Sequence, residues 1–399
     1  MNPTATPPTR PDRTPHEEVS MTATATPTAR CDRSFFNAQA IQALDPFGLD
    51  DALADLPALN ARADVPALTA LLQHMTAQYK HLTLLDAEST HATMRDFGIV
   101  LGSLKRHGVE PLSVVPHLEP ILLDLGGQHD MVPRDTVLHY TVWNPDGERR
   151  RLYTGDPQER ELQDAVTNVF PHLSASLALS DSLADLDPRD VRFAPLAMHL
   201  ARTSEVMVDT IDRVTQHVSP IFFAQTMRPY FEEIHVNGRA YLGPAAAQVP
   251  LWLIDITLWA SDRSHPAYEH FLQESLQYSP PSWRAFYAAH SARPSLVTKV
   301  SALLASDAHQ HDRNLLRSAD ALTALLRTLK VFRGRHLGIA RRAYAEDVRL
   351  YEHGSGGAPI ELLKTITQLT KENEAAVRAR VGGRPGGHAP ARGEVGSGA

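Results

Sequence analysis

Apolar residues recur along most of this 399-residue chain at steps of three and four, the spacing that puts side chains on one face of an α-helix. Glycine and proline residues fall between these stretches, as at residues 144–147 and 354–357, where they favour turns. The pattern predicts an all-α fold. Its clearest helical stretches are residues 65–79, 160–184, 193–217, 250–260 and 314–344.

One short segment departs from helical spacing. Residues 136–143 (TVLHYTVW) are rich in β-branched and aromatic side chains, which favour extended strands, and an Asn-Pro-Asp-Gly turn sequence follows them. We therefore expect this segment to pair with residues 150–153 across the turn. The result would be a minor hairpin on a helical body.

The two ends of the chain differ in composition from the rest. Residues 1–31 are rich in threonine, proline and alanine without the apolar run of a signal peptide, and residues 382–399 are rich in glycine. We expect both ends to be disordered, with translation starting at Met1 or at Met21. Between them we expect a smaller N-terminal part over residues 32–160 and a larger helical domain over residues 161–381.

Composition limits the partners. Hydrophobic residues make up 43% and charged residues 21% of the chain, a balance typical of a globular protein with a sizeable core. The formal charge of −7 gives no basic surface for nucleic acid or for an anionic membrane. No apolar stretch approaches the roughly 20 residues that span a bilayer. We therefore expect neither nucleic acid nor a membrane as a partner.

Cysteine and histidine content narrows the metal chemistry. The single cysteine, Cys31, cannot form an intramolecular disulfide or a sulfur-held metal site, and it suits a cytoplasmic protein. With 20 histidines, a transition metal would be held by imidazole, carboxylate or an organic ligand such as a porphyrin. His107, His117 and His139 lack metal-ligand spacing, and the motifs of zinc proteases, α/β-hydrolases, P-loop enzymes and dinucleotide enzymes are absent from the sequence.

The stretch 314–344 contains the strongest candidate ligand. Its apolar stripe continues through His336, so we expect this imidazole on the buried face, with Arg333 and Arg335 beside it and further arginines after it. A porphyrin needs this combination, a neutral imidazole for its iron and guanidinium groups for its propionates. A core histidine satisfied by a backbone carbonyl fits the same periodicity and is the commoner case.

A Gly-Ser-Gly-Gly sequence follows at residues 354–357, which we call the glycine loop. Its glycines allow close backbone approach, and Ser355 offers a hydroxyl and an N–H to a carboxylate or an amine. The loop is therefore a candidate to close over a pocket. A plain connection between two helices is the commoner role of such residues.

Residues 219–248 combine aromatic side chains, an arginine and three consecutive alanines. Phe223 followed by Arg228 suits an aromatic amino acid, whose ring would pack on the phenyl group and whose carboxylate would bind the guanidinium. Residues 245–247, which we call the alanine run, are small enough for another segment to pack closely against them. Ordinary core packing with a surface arginine fits the same residues equally well.

Taken in order, these segments resemble the monodechloroaminopyrrolnitrin synthase (PrnB) family of the haem-dependent indoleamine/tryptophan 2,3-dioxygenase superfamily. The resemblance implies that residues 161–381 form a helical haem- and substrate-binding domain of the indoleamine 2,3-dioxygenase type. The MRDFG…LLD block is specific to the synthase branch, whereas the Arg-x-x-His helix and the glycine loop are shared with the superfamily. The matching segments are residues 44–47, 56–60, 94–124, 138–154, 228–244, 333–344 and 354–357.

On the haem side, the resemblance implies two ligand roles. His336 matches the histidine that ligates the haem iron, and Arg333 matches the arginine that meets a haem propionate. Residues 162–179 depart from the family's pattern. Whether Thr167, His172 or no polar side chain faces bound dioxygen is therefore left open.

On the substrate side, the resemblance implies a pocket for an aromatic amino acid. Ser355, with Gly356 beside it, and Tyr344 match residues that line this pocket. Arg228 and Phe223 match the substrate-side arginine and aromatic residue. Ser355, Tyr344 and Arg228 are thereby the expected catalytic residues, which restrain the amine and carboxylate of the substrate.

The reaction that the resemblance implies converts 7-chloro-L-tryptophan, or tryptophan, to an aminophenylpyrrole, as in pyrrolnitrin biosynthesis. Haem b is the implied cofactor, dioxygen the co-substrate, and an electron donor a further partner. The open alternatives are a haem-dependent tryptophan or indole dioxygenase, an aromatic hydroxylase acting on a related amino acid, a haem sensor or carrier, and a helical scaffold without haem.

Overall fold

The computed structural model describes residues 37–82, 86–309 and 311–382. Within them, helices make up nearly all of the regular structure, which confirms the predicted all-α fold. None of the described helices combines the length and the apolarity needed to cross a membrane. The predictions for residues 1–31 and 383–399, including those for Cys31 and for the start of translation, lie outside the described residues.

Short helices build the first part of the chain around one long buried helix, Ala87–Arg106. The Asp86 carboxylate caps its N-terminus by accepting the Ser89 N–H at 2.8 Å, and Gly108, with a φ of +73°, follows its C-terminus. The helices of this part are Ala38–Ala43, Asp50–Ala54, Leu56–Ala61, Val65–Tyr79, Ala87–Arg106, Pro111–Val114, Glu119–Gln128 and Val137–Tyr140, with 3₁₀ turns at Pro116–Leu118 and Gly147–Arg149.

Longer helices build most of the second part. All five of the predicted helical stretches are present, one in the first part and four in the second. The helices of this part are Pro157–Asp185, Phe193–His217, Leu251–Asp255, Pro266–Leu276, Pro281–His290, Leu296–Leu304, Arg313–Ala343 and Ile360–Gly382. Wider π-helical turns occur at Phe222–Met227 and Ile256–Ala260, and 3₁₀ turns occur at Arg228–Phe231 and Ala246–Gln248.

Two hydrophobic cores hold these helices together, and each buried large side chain contributes roughly 1.5–3 kcal/mol. The larger core lies among the Pro157–Asp185, Phe193–His217 and Arg313–Ala343 helices. The smaller core surrounds the Ala87–Arg106 helix and also takes in apolar side chains from residues 227–236. The two parts of the chain therefore share a core, and the predicted boundary at residue 160 stays a prediction.

The predicted hairpin at residues 136–143 is wrong. This segment forms the short Val137–Tyr140 helix, because the His139 ring accepts a backbone N–H at 3.0 Å and closes a capping turn. The expected backbone pairing with residues 150–153 is absent, and the side chain of Asn144 makes hydrogen bonds to that segment in its place. The Asn144 amide donates to the Arg151 carbonyl and accepts the Arg151 N–H, both at 2.9 Å.

The hairpin of the described chain lies elsewhere. Strands Ile234–Val236 and Arg239–Tyr241 pair in antiparallel fashion. Asn237 and Gly238 connect them with φ values of +50° and +71°, as the tight two-residue Asn-Gly turn requires. This dipeptide is a local hairpin signal of the sequence.

Two buried side chains fix the segment that leads from this hairpin to the alanine run. Arg134 donates through Nη1 to the carbonyls of Glu232 at 2.6 Å and Tyr241 at 2.8 Å. Gln248 donates to the Gly243 carbonyl at 3.1 Å and accepts a backbone N–H from the first part of the chain at 2.8 Å. The alanine run is thereby held in a fixed place beside the first part of the chain.

Candidate functional site

The Arg313–Ala343 helix, which we call the histidine helix, carries the predicted iron ligand His336. The Asp312 carboxylate caps its N-terminus by accepting two backbone N–H groups at 2.8 and 3.0 Å. The helix packs against Phe193–His217 and Ile360–Gly382. Packing against two other helices fixes the directions in which its side chains point.

His336 lies at the edge of the buried stripe of this helix. Arg333 and Leu337 are buried, whereas the His336 ring is half-buried and lies 5.8 Å from the Phe332 ring. Among the described residues it has no hydrogen-bond partner, so it is not the core histidine satisfied by a backbone carbonyl. Burial first, and then the charge of Arg333, lower the pKa of His336. The imidazole is therefore neutral near pH 7, as a metal ligand must be.

Arg333 is buried, and two of its N–H groups donate to protein side chains. Its Nη2 donates to the Asp255 carboxylate and its Nη1 to the Thr370 hydroxyl. Its guanidinium carbon lies 5.8 Å from the centre of the Trp259 ring. These contacts tie the histidine helix, next to His336, to residues 255–259 and to the Ile360–Gly382 helix.

Asp255 balances this buried charge. Its carboxylate is fully buried, and besides Arg333 it accepts the Tyr268 hydroxyl at 2.6 Å and the Trp259 indole N–H at 3.1 Å. A buried carboxylate with three donors and an opposite charge is well satisfied. The role of Arg333 at a haem propionate stays a prediction.

The other arginines of the histidine helix lie in different surroundings. Arg335 pairs with Asp212 of the Phe193–His217 helix at the surface. Arg341 and Arg342 are exposed. The arginines that the sequence places near His336 therefore do not share one environment.

Arg228 is the second buried arginine among the predicted site residues. It begins the 3₁₀ turn that directly follows the π-helical turn of Phe223, a half-buried residue at the edge of the smaller core. Its guanidinium carbon lies 4.2 Å from the centre of the Tyr351 ring. Within the described chain, its buried Nε and Nη1 have no hydrogen-bond partner. A buried donor without a partner costs about 1–3 kcal/mol, a cost that an anion bound to these nitrogens would remove.

Tyr344 connects Arg228 with the glycine loop. Burial is the largest influence on its hydroxyl and raises the pKa of Tyr344, whereas the Arg228 guanidinium and the Ser355 backbone N–H lower it. Because the pKa is raised overall, the hydroxyl stays protonated and can donate a hydrogen bond. Tyr344 follows His336 by eight residues, a distance of about 12 Å along a helix axis.

The glycine loop packs directly on the alanine run. A Cβ atom at Gly356 would lie 2.5 Å from the Ala247 Cβ, closer than any side chain allows. Gly357 has a φ of +76°, a conformation that favours glycine. The close packing expected of the alanine run is thereby confirmed, and it places the half-buried Ser355 beside Tyr344.

Three residues of this region have no predicted role: Tyr351, Asp255 and Thr370. Asp255 carries a recognisable signal, because a lone carboxylate within the apolar residues 251–260 must find a buried partner. Tyr351 and Thr370 carry no comparable pattern. Their roles follow from contacts between segments far apart in sequence.

The candidate distal residues lie on the Pro157–Asp185 helix. His172 is exposed and Thr167 is half-buried. In the part of the chain that the structure describes, no group of three histidine, cysteine, aspartate or glutamate side chains is arranged to hold a metal ion. A single neutral histidine at the edge of a helix stripe fits a metal whose other ligands come from a porphyrin.

Comparison with protein families adds an independent finding. A family model described as monodechloroaminopyrrolnitrin synthase PrnB matches residues 41–386. The matched range begins within the Ala38–Ala43 helix and includes the histidine helix and the glycine loop. It also includes every residue named above as part of the candidate site.

Proposed function

Since the chain belongs to the monodechloroaminopyrrolnitrin synthase (PrnB) family, we propose that it converts 7-chloro-L-tryptophan, or tryptophan itself, to an aminophenylpyrrole. The family is one of haem-dependent enzymes, and its reaction is an oxidative rearrangement in pyrrolnitrin biosynthesis. The observation that carries the proposal is Arg228, a buried cation with two unpartnered nitrogens next to Tyr344.

The histidine helix is the proposed haem-binding element. His336 would hold the iron through its neutral imidazole, and haem, when bound, supplies the oxidative chemistry with dioxygen. Arg333 is the proposed partner of a propionate. A guanidinium has five N–H donors, and Asp255 and Thr370 occupy two of them.

The substrate would lie with its carboxylate on Arg228 and its indole ring near Phe223. Charge-assisted hydrogen bonds are strong where water is excluded, and Arg228 is buried. The hydroxyl oxygens of Tyr344 and Ser355 would hold the amine by accepting hydrogen bonds from its N–H groups. The proposed rearrangement requires the amine to reach indole C2, and a fixed amine supplies that proximity.

Product analysis tests the proposal. We would incubate the haem-loaded protein with a reductant, air, and either L-tryptophan or 7-chloro-L-tryptophan, each labelled with ¹⁵N in the indole ring. The rearranged product is lighter than its substrate by CO₂ and two hydrogens, which dioxygen accepts. Because the indole N1–C2 bond is broken, the label should appear in the aniline nitrogen.

Other masses would assign another function. A product with two added oxygen atoms indicates an indole dioxygenase, and one added oxygen atom indicates a hydroxylase. A haem-loaded protein that binds neither amino acid and makes no product is a sensor or a carrier. Each of these outcomes contradicts the proposed rearrangement.

Replacing His336 tests the haem assignment. We expect His336→Ala to lose haem without unfolding, because the half-buried ring has no described hydrogen-bond partner that the fold would lose. Haem content from the absorption spectrum and helix content from circular dichroism measure the two effects. His199→Ala, an exposed histidine of the Phe193–His217 helix, is the control. Normal haem content in His336→Ala would exclude this ligand.

A further inference from the structure

We propose that Tyr351 is a positioning residue of the substrate site, whose ring holds the Arg228 guanidinium in the orientation that binds the substrate carboxylate. The inference rests on the proposed function, because it takes Arg228 to be the carboxylate anchor. The resemblance to the family assigns Tyr351 no role.

The first argument is the contact between the two side chains. The guanidinium carbon of Arg228 lies 4.2 Å from the centre of the Tyr351 ring, within the range of a favourable cation–π contact. The N–H groups of a guanidinium point outward in its own plane. The contact with the ring leaves the buried Nε and Nη1 without a hydrogen-bond partner among the described residues, so both can donate to a ligand.

The second argument is that Tyr351 is itself held in place. Its hydroxyl donates to the carboxylate of Glu232, the residue that follows the Arg228–Phe231 turn. Tyr351 thus contacts both ends of the turn that carries Arg228. Burial first, and then this hydrogen bond, raise the pKa of Tyr351 to about 12, so the hydroxyl remains a donor at neutral pH.

The third argument is the position of Tyr351 along the chain. It lies between Tyr344 and the glycine loop, the two other elements of the proposed substrate pocket. In the same segment, the Val348 carbonyl accepts the Gln225 side-chain amide at 3.0 Å. Residues 348–351 therefore contact both the π-helical turn and the 3₁₀ turn of Arg228. An arginine restrained before ligand binding loses less conformational entropy when the carboxylate arrives.

The test compares two ligands that differ in the carboxylate alone, L-tryptophan and tryptamine. Binding to the haem-loaded protein is measured from the shift of its Soret band, and the ratio of the two dissociation constants gives the carboxylate preference. We expect Tyr351→Leu to reduce this preference roughly tenfold while tryptamine binding stays unchanged. Tyr351→Phe keeps the ring and should retain most of the preference.

A double-mutant cycle shows whether Tyr351 acts through Arg228. We expect Arg228→Met to abolish the preference, and Tyr351→Leu to have no further effect in that background. Tyr79→Leu is the matched control, because the Tyr79 hydroxyl also donates to a carboxylate, that of Asp124 at 2.7 Å, and its ring lies against Phe97 of the Ala87–Arg106 helix. If Tyr351→Leu fails to load haem, Glu232→Gln is tested in its place. We expect this variant to reduce the carboxylate preference roughly two- to threefold.

The outcomes separate this inference from the proposed function. If Arg228→Met abolishes the preference and Tyr351→Leu leaves it intact, the role of Tyr351 is overturned and the carboxylate anchor stands. If Tyr351→Leu weakens both ligands equally, its role is structural and the inference is also overturned. If Arg228→Met leaves the preference intact, the proposed carboxylate site itself is wrong.

Discussion

Arg333 and Arg228 are equally buried, at 6% and 8% exposure, yet their surroundings differ. Arg333 donates to a buried carboxylate and to a hydroxyl, so its charge is balanced inside the protein. Arg228 has an aromatic ring on one side and two nitrogens that no described residue satisfies. Burial alone therefore does not distinguish an arginine that is paired within the protein from one whose donors have no partner.

The two arginines differ in how the loss or gain of a partner changes the free energy of the protein. A buried ion pair that loses one partner leaves an uncompensated charge, which destabilises a fold strongly. A buried cation with unpartnered donors already bears a cost in the ligand-free protein, and an anionic ligand removes that cost. Arg333 is thus expected to support the histidine helix, and Arg228 to support ligand binding.

Replacing each arginine by methionine tests this comparison directly and should give the largest effect. We expect Arg333→Met to lower the free energy of unfolding by about 3–5 kcal/mol, because it strands the Asp255 carboxylate in the core. We expect Arg228→Met to change it by less than about 1 kcal/mol, because the loss of the Tyr351 contact is offset by the removal of unsatisfied donors. Urea unfolding of haem-free and haem-loaded protein measures both.

A surface ion pair of the same helix is the control. Arg335 pairs with Asp212, and both side chains are about two-fifths exposed, so Asp212→Asn should cost at most about 1 kcal/mol. Equal losses of unfolding free energy in Arg333→Met and Arg228→Met would show that the unpartnered nitrogens of Arg228 do not affect stability. The comparison between the two arginines would then fail.

A pair of glycine substitutions tests the packing of the glycine loop on the alanine run, with a smaller effect. A Cβ at Gly356 would overlap Ala247, whereas a Cβ at Gly334, near His336, meets no atom within 4 Å. We expect Gly356→Ala to cost about 1–3 kcal/mol and to weaken tryptophan binding. Gly334→Ala should stabilise the histidine helix by roughly 0.5–1 kcal/mol. Normal binding in Gly356→Ala would separate the glycine loop from the substrate.

The histidine helix shows how far the sequence predicts this site. Three-and-four spacing predicts the helix, and its continuation through His336 predicts an inward-facing imidazole. The same pattern does not predict that Arg333 takes the buried position and His336 the edge. The burial of Arg333 depends on its partner Asp255, which lies 78 residues before Arg333 in sequence. Periodicity carries no information about such a partner.

The hairpin shows a different limit. Residues 136–143 have strand-forming composition, but the His139 ring accepts the Thr136 N–H and the Asn144 side chain donates to the Tyr140 carbonyl, so they form a helix and a loop. The actual hairpin has the Asn-Gly turn sequence between two strands of three residues each. Strands of this length are too short to show an alternation of apolar and polar residues in the sequence. Local turn chemistry outweighs strand propensity in both segments.

The smallest expected effect concerns Ser355, the half-buried serine of the glycine loop beside Tyr344. We expect Ser355→Ala to keep haem and to weaken tryptophan binding by roughly 0.5–1.5 kcal/mol, the value of one hydrogen bond. Its backbone N–H remains near Tyr344, so the loss should be partial. Ser182→Ala, at the surface of the Pro157–Asp185 helix, is the control. An unchanged Soret shift with tryptophan would remove the Ser355 hydroxyl from the site and leave Arg228 and Tyr344 as its polar contacts.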